Sequence, residues 1–436
     1  MTTRRFIFIA CLTFICLATA LGQTAQEMIA RNHNLAGNQS KAYEAPTAYR
    51  HHTPKGYTPY YISHYGRHGS RFLTGTTYTA TLAMLTKAED KGVLTPLGQD
   101  VLRRVRLIYD EGHGHEGELT SLGAMQHRGI AERMFHAFPE IFNAKGASVD
   151  ARSTIVGRCI RSMDNAVKQL AELNPQLTIR EDSSKVNMYY MNHAESLIDP
   201  LAKKARQQQR QHVAGLIKSD RLMRLLFIDE TFWKHDINAN DLMQNLFKMA
   251  THTQNSAIDS VVRLDDIFTD EELYSLWQIG NSNWYVNAAC SPLTDGMIPF
   301  TQRKLLKRII EEADSCLMLP YPSASLRYGH DGNVLPLTCM LQLDNIDRQI
   351  GLDSLATSGW HDFSIIPMAS NIQIIFYKPK HGKKPVLVKV LRNEREAHLP
   401  VATAKEGWPY YEWRVVKRNL QNRLQNFEGY LKNKKH

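Results

Sequence analysis

Cysteine is scarce in this chain, six residues in 436, and no two of them form a Cys-x-x-Cys pair. Without that pair, or a Cys/His set at zinc spacing, a zinc ribbon or a dithiol redox centre is excluded. His-Glu-x-x-His is also absent. After residue 20 no run is apolar enough to read as a bilayer span, which needs roughly 20 residues. Repeats are missing: the echo between LTPLG at 94–98 and LTSLG at 119–123 is too short to be one. The basic stretch KKARQQQRQH at 203–212 has no stacking motif beside it, so it reads as a solvated helix face and not as a nucleic-acid site.

The one long apolar run lies at the start. Arg4 and Arg5 precede FIFIACLTFICLATA, and small residues follow. A charged start, a hydrophobic middle and a small-residue cut describe an export signal over 1–22. The expected location is therefore secreted or periplasmic, with no stable membrane insertion once the signal is cleaved. The formal charge of +10, less the two signal arginines, leaves +8. Such a field favours anionic partners. Cys159, Cys290, Cys316 and Cys339 remain after cleavage, and an exported chain can oxidise them. At most one or two disulfides are expected.

The periodicities alternate. Residues 23–58 read as an irregular lead-in. YTPYYISHYG (57–66), ASVDARST (147–154) and SASLRYG (323–329) read as strands, and a hairpin turning at KHGKK is expected over 365–394. Helical patterns cover 78–91, 94–112 and 119–142. Another helix opens near Gly157, a helix-like stretch spans 333–343, and a long amphipathic helix ends the chain. Residues 195–290 carry helical patterns and no convincing strand. Strands alternating with helices, broken by an all-helical stretch, give an α/β sheet with a helical cap.

SHYGRHGSRF (63–72) follows the first strand. Arg67 and Arg71 flank His68, with Gly69 between. Two like charges beside an imidazole make little sense as core packing. They make sense around a tetrahedral dianion, because guanidinium forks match phosphate oxygens. Strand ends are also where open α/β sheets place ligands. The imidazole can be a phosphate ligand, a base or a nucleophile. HGHEGE offers His113, His115 and Glu116 as a metal trio, but a solvated loop fits that spacing better.

The pattern R-H-G-x-R resembles the signature of the histidine phosphatases, in the histidine acid phosphatase branch. The resemblance implies that His68 is the nucleophile and becomes phosphohistidine, and that Arg67 and Arg71 bind the phosphoryl group. RSTIVGRCIRS resembles the segment supplying a third phosphate-binding arginine. That role falls on Arg158, near a helix start, with Arg152 as second choice. YGHDGNVLPL (328–337) resembles the branch's C-terminal His-Asp motif, which makes His330 a phosphate ligand and Asp331 the proton donor. No metal or other cofactor is implied.

Further segments (ELTSLGAMQHRGIAERMFHAFPEIF, IIPMASNIQIIFY and VLRNEREAHLPV) resemble multiple inositol polyphosphate phosphatases. Those enzymes carry His-Ala-Glu where this chain has His330-Asp331-Gly332. A literal His-Ala-Glu at His193–Glu195 lies too early in the chain to fill that place. The implied fold is a Rossmann-like, three-layer α/β/α, phosphoglycerate-mutase-like sheet domain over 23–190 and 300–436, with an inserted helical domain over 191–299, to which part of 75–115 can also belong. The implied activity is phosphomonoester hydrolysis on inositol polyphosphates. The alternatives are a broad acid phosphatase acting on sugar phosphates or nucleotides, and a non-catalytic phosphate-ligand binding protein. The partner is a small phosphorylated molecule. The sequence sets no oligomeric state.

Overall fold

The structure is a computed structural model describing residues 23–47 and 51–434. The expected export signal over 1–22 lies outside the described residues.

Eight strands form one mixed sheet: β1 (Tyr57–Arg67), β2 (Ser148–Ser153), β3 (Thr178–Asp182), β4 (Ser323–Gly329), β5 (Asn371–Pro379), β6 (Leu387–Arg392), β7 (Arg395–Glu396) and β8 (Tyr411–Glu412). Their order is β3-β2-β4-β1-β5-β6-β7, with β8 on β6. The pairs β3/β2, β2/β4 and β4/β1 are parallel; β1/β5 and β5/β6 are antiparallel. β5 and β6 are the expected hairpin.

The helices that matter are α1 (Ala25–Arg31), α2 (Thr77–Asp90), α3 (Pro96–Gly112), α4 (Ser121–Ala137), α5 (Pro139–Phe142), α6 (Gly157–Leu173), α7 (Asp199–Val213), α8 (Ala239–His252), α9 (Asp270–Ala288), α10 (Arg303–Leu317), α11 (Asp331–Met340) and α12 (Trp413–Asn433).

Alternation along β1 separates two cores. Tyr61 packs with Ile374, Phe376 and residues of α10, α11 and α12. Its neighbour Ile62 points the other way, to Val149, Leu326, Ile375 and residues of α4 and α6. The result is three layers, α/β/α. A third core is made almost wholly by helices and joins α1, α2, α3, α8 and α9. From Met188 to Leu317 every described element is helical. No helix among the described residues is long and apolar enough to cross a membrane.

Two expectations are corrected, and one strand is found that the sequence did not announce. The lead-in is not irregular throughout: Thr24 and Glu27 form a capping box that starts α1, and Ala25 and Ile29 are buried against the helical core. The helix expected over 119–142 breaks at Phe138, because Pro139 cannot donate to the preceding turn and instead opens α5. The edge strand β3 was not expected from the sequence. The LTPLG/LTSLG echo is a shared helix start, in which Thr95 and Thr120 accept the amides of Gly98 and Gly123.

Candidate active site

The strands β2, β4 and β1 are neighbours and end together. Arg67, the last residue of β1, pairs with Gly329, the last residue of β4. His68 and His330 therefore follow adjacent strand ends, with ring centroids 5.9 Å apart at 72°. Asp331 opens α11. β2 ends at Ser153, and Arg158 stands in the first turn of α6. All six residues expected from the sequence are thus brought to one end of the sheet.

The loop after β1 is held on all sides. The His68 amide donates to Gly329 O, and the Arg67 amide to Ser370 O. Gly69 N donates to Ser162 Oγ on α6, and Ser70 N to Gln126 Oε1 on α4. A Cβ on Gly69 would lie 2.4 Å from Gly123 O, so only glycine fits this crossing of loop and helix.

Nδ1 of His68 is 2.9 Å from Gly69 O. A carbonyl only accepts, so Nδ1 carries the proton and Nε2 presents its lone pair. Burial, followed by the charges of Arg67, Arg158 and Arg71, holds the ring's pKa well below its ordinary value; the Gly69 bond opposes this. His68 is therefore a neutral imidazole with a free basic nitrogen.

Guanidinium donors surround it. Arg67 is fully buried, and its Nη1 donates to Ile366 O at 2.8 Å and also to Gln39 O. Its Nη2 lies 2.8 Å from Asp331 Oδ2, an ion-pair distance without hydrogen-bond alignment. Nε and Nη2 of Arg67, Nε of Arg71 and Nε of Arg158 are buried and have no hydrogen-bond acceptor in the protein. Buried charged donors without acceptors are costly, and their clustering beside one imidazole marks an oxyanion site. Burial and the two neighbouring guanidinium groups push the Arg71 pKa down to about 10, which leaves it cationic at neutral pH.

His330 is fixed by Thr154, whose Oγ1 is 3.2 Å from Nε2. Burial lowers its pKa to about 4, although the Asp331 charge works against this. Cys159 sits beneath, with Sγ 3.3 Å from Gly329 O and 3.8 Å from His330 Nε2. Burial raises its thiol pKa to about 11, so it is inert as a nucleophile. Thr154, Cys159 and Ser162 were not singled out from the sequence. Thr154 could have been found by its place directly after a strand that ends at the site.

The second-choice Arg152 is engaged elsewhere, by Asp150, Glu312 and Tyr190. Glu195 of the early His-Ala-Glu is held by Arg303 and Lys304. His113 pairs with Glu116 and His115 with Glu118, two separate contacts instead of one metal cradle. Among the described residues no group of three or more His, Cys, Asp and Glu side chains is arranged to hold a metal ion. Cys159, Cys290, Cys316 and Cys339 are free thiols, so none of the allowed disulfides is formed among the described residues.

Residues 66–393 match the family model of the histidine phosphatase superfamily (branch 2). Among solved structures the chain is similar to the apo multiple inositol polyphosphate phosphatase of Bifidobacterium longum, with a TM-score of 0.77 and 17% identity, covering 88% of this chain and 97% of that one. The same enzyme in complex with inositol hexasulfate gives a TM-score of 0.76 at 16% identity, over 88% and 97% of the two chains. A phytase from D. castellii gives 0.64 at 14% identity, over 90% of this chain and 85% of that one. These likenesses show a shared fold. A search of curated proteins returns no match.

Proposed function

The chain belongs to branch 2 of the histidine phosphatase superfamily, and from that premise we propose that it hydrolyses phosphomonoesters of inositol polyphosphates through a phosphohistidine on His68. The observation that carries this reading is the set of buried guanidinium nitrogens without hydrogen-bond acceptors, on Arg67, Arg71 and Arg158, around a neutral imidazole whose Nδ1 carries the proton.

Nε2 of His68 attacks phosphorus in line with the ester oxygen. The N–P bond forms as the P–O bond to the alcohol breaks. Arg67, Arg71, Arg158 and His330 hold the phosphoryl oxygens, a task that preorganised donors perform without reorganising. Asp331 gives its proton to the departing alkoxide, a contribution of ~10²–10⁴ in rate. Water then attacks the phosphohistidine, Asp331 takes the water's proton, and inorganic phosphate leaves.

The substrate class is supported by the family, by the fold shared with an inositol polyphosphate phosphatase, and by the basic charge. The signal-like first 22 residues support export, so the site would work outside the cytoplasm. Residues 191–299 are read as a cap inserted in the sheet domain.

The test is phosphate release from inositol hexakisphosphate, glucose 6-phosphate and p-nitrophenyl phosphate after exhaustive chelation. Turnover of inositol hexakisphosphate is expected to exceed that of the sugar phosphate. The His68→Ala protein should keep its circular dichroism spectrum and lose turnover. Full activity in that variant would remove the proposed nucleophile.

A further inference from the structure

Asp331 is held at two points. Its Oδ2 faces Arg67 Nη2 at 2.8 Å, and its Oδ1 accepts Gly332 N at 2.8 Å. A phosphoryl group bound at Arg67 takes the first hold away, so the Gly332 peptide is the hold that remains while a proton is transferred. Packing does not fix that peptide: a Cβ on Gly332 would meet nothing within 4 Å. A side chain from another segment does. Gln302 Nε2 donates to Gly332 O, and Gln302 Oε1 accepts Asn333 Nδ2.

These bonds fix their own directions. A carbonyl only accepts, so the amide nitrogen of Gln302 must face Gly332 O. Its Oε1 then faces Asn333, whose side chain must present Nδ2. Asn333 is buried, its backbone N donates to His330 O at 3.1 Å, and its Oδ1 has no hydrogen-bond partner among the described residues. One glutamine therefore clamps both residues that follow Asp331 at the start of α11.

Gln302 is itself braced. It ends the 3₁₀ turn Ile298–Gln302, directly before α10. Thr301 O accepts Glu195 N at 3.0 Å, and Arg303 pairs with the Glu195 carboxylate and, at 2.9 Å, with Glu428 of α12. The glutamate of the early His-Ala-Glu thus grips the residues on both sides of Gln302.

We propose that Gln302 is a positioning residue for Asp331, braced by Glu195, and that it serves proton donation to the leaving alcohol and not phosphoryl binding. The proposal rests on the phosphatase reading above. While Gln302 clamps the turn, Oδ1 stays on Gly332 N and Oδ2, freed from Arg67, carries the proton to the ester oxygen. Without the clamp the peptide can rotate and take the carboxyl with it.

The experiment measures kcat/KM for inositol hexakisphosphate and for p-nitrophenyl phosphate in the wild type, Gln302→Met, Asp331→Asn and the double variant. Gln302→Met keeps the length of the side chain and loses both bonds. An alkoxide needs a proton to leave and a nitrophenolate does not. The ratio of the two values therefore reads proton donation and is independent of the fraction of protein that is folded. It should fall about tenfold in Gln302→Met, the scale of one lost hydrogen bond. Added to Asp331→Asn, the same substitution should change the ratio by less than about twofold, because the group it positions is gone. An unchanged ratio in Gln302→Met overturns the proposal and assigns the residue a structural role. A further tenfold fall in the Asp331→Asn background also overturns it, since Gln302 would then act on its own. Should Gln302→Met not fold, Glu195→Gln keeps the bond to Thr301 and loses the ion pair with Arg303. Its ratio should fall about threefold, and an unchanged value overturns the proposal. A wild-type chain active on p-nitrophenyl phosphate alone has no such donation to support and overturns it as well. A wild-type chain inactive on both esters overturns the phosphatase reading with it.

Discussion

Arg67 Nη2 and Asp331 Oδ2 stand 2.8 Å apart across two adjacent strand ends, yet they are not aligned as a hydrogen bond. The guanidinium is fully buried, while the carboxylate is 19% exposed. Its other oxygen accepts from Gly332 N at 2.8 Å. The pair therefore couples two tasks. In the proposed reaction a phosphoryl oxygen arriving at Arg67 competes with the carboxylate for the same donor; the displaced Asp331 takes up a proton, from the substrate monoanion or from water, and passes it to the departing alcohol.

Replacing the carboxylate separates these tasks. In Asp331→Asn, kcat on inositol phosphates should fall by ~10²–10⁴. The loss should be much smaller on p-nitrophenyl phosphate, whose phenolate leaves without a proton. Inorganic phosphate should inhibit the variant more strongly than the wild type, because Arg67 loses its internal competitor. Steady-state kinetics with both esters check this, and weaker phosphate inhibition would contradict the competition.

Thr154 is a positioning residue for His330, and its hydroxyl and its methyl can be tested apart. The hydroxyl is 3.2 Å from His330 Nε2, while the methyl sits where a Cβ on Gly329 would touch it at 3.5 Å. Thr154→Val keeps the packing and should lose roughly tenfold in kcat/KM, about the value of one hydrogen bond to a functional group. Thr154→Ser keeps the hydroxyl and should retain most of the activity. The opposite order would assign Thr154 a packing role only.

Much of this site was legible in the sequence because its parts are local. Arg67, His68 and Arg71 lie within one strand end, and His330 and Asp331 within another. The tyrosine-rich stretch 57–66 and the strand-like stretch 323–329 placed both at carboxyl ends. What was not legible depends on contacts between distant segments. Thr154 could be placed near the site by its position after a strand, but its contact with His330 depends on β2 and β4 being neighbours, which no local pattern states. Arg67 is anchored by the carbonyls of Gln39 and Ile366, and backbone oxygens leave no mark in a sequence. The helix α1 did leave one, Thr24-x-x-Glu27, which is a readable capping signal. β3 is short, charged and mostly exposed, so it lacks the apolar alternation that reveals a strand.

His64 and His127 form a buried pair behind the phosphate loop, each with its ring against Tyr328 at 5.2 and 5.4 Å. No ring nitrogen of either has a hydrogen-bond partner; His127 only approaches the Arg67 backbone, without hydrogen-bond alignment. Burial lowers both pKa values to about 3, with mutual repulsion and Arg327 adding to the effect on His64. Between about pH 6.5 and 3 the unfolded chain binds protons that the folded chain refuses. The stability from each neutral histidine is full above pH 6.5 and is lost as pH falls, by ~1.4 kcal/mol per pH unit. Urea unfolding of His127→Phe should show a pH slope shallower by about one proton between pH 6 and 4. An identical slope would mean that His127 is already charged in the fold.

Asp362 carries the opposite sign. It is fully buried, and its Oδ1 accepts from Trp277 Nε1 at 3.1 Å and from Phe363 N at 2.8 Å, while Oδ2 has no partner. Burial raises its pKa to about 7, against hydrogen bonds from Asn38, Trp277 and the backbone. Between about pH 4 and 7 the folded chain holds a proton that the unfolded chain has released, so this group's contribution to stability falls as pH rises through that window and levels off above it. Asp362→Asn imitates the protonated form. It should match the wild type near pH 4.5 and exceed it at pH 8 by on the order of 1–3 kcal/mol. The same ionisation bears on the site, since the turn 362–365 leads directly to Ile366, whose carbonyl anchors Arg67. Urea midpoints for both proteins at pH 4.5 and 8 test the sign. A gap that is equal at the two values, or larger at pH 4.5, would show that Asp362 is already ionised throughout and that its burial is compensated by its hydrogen bonds alone.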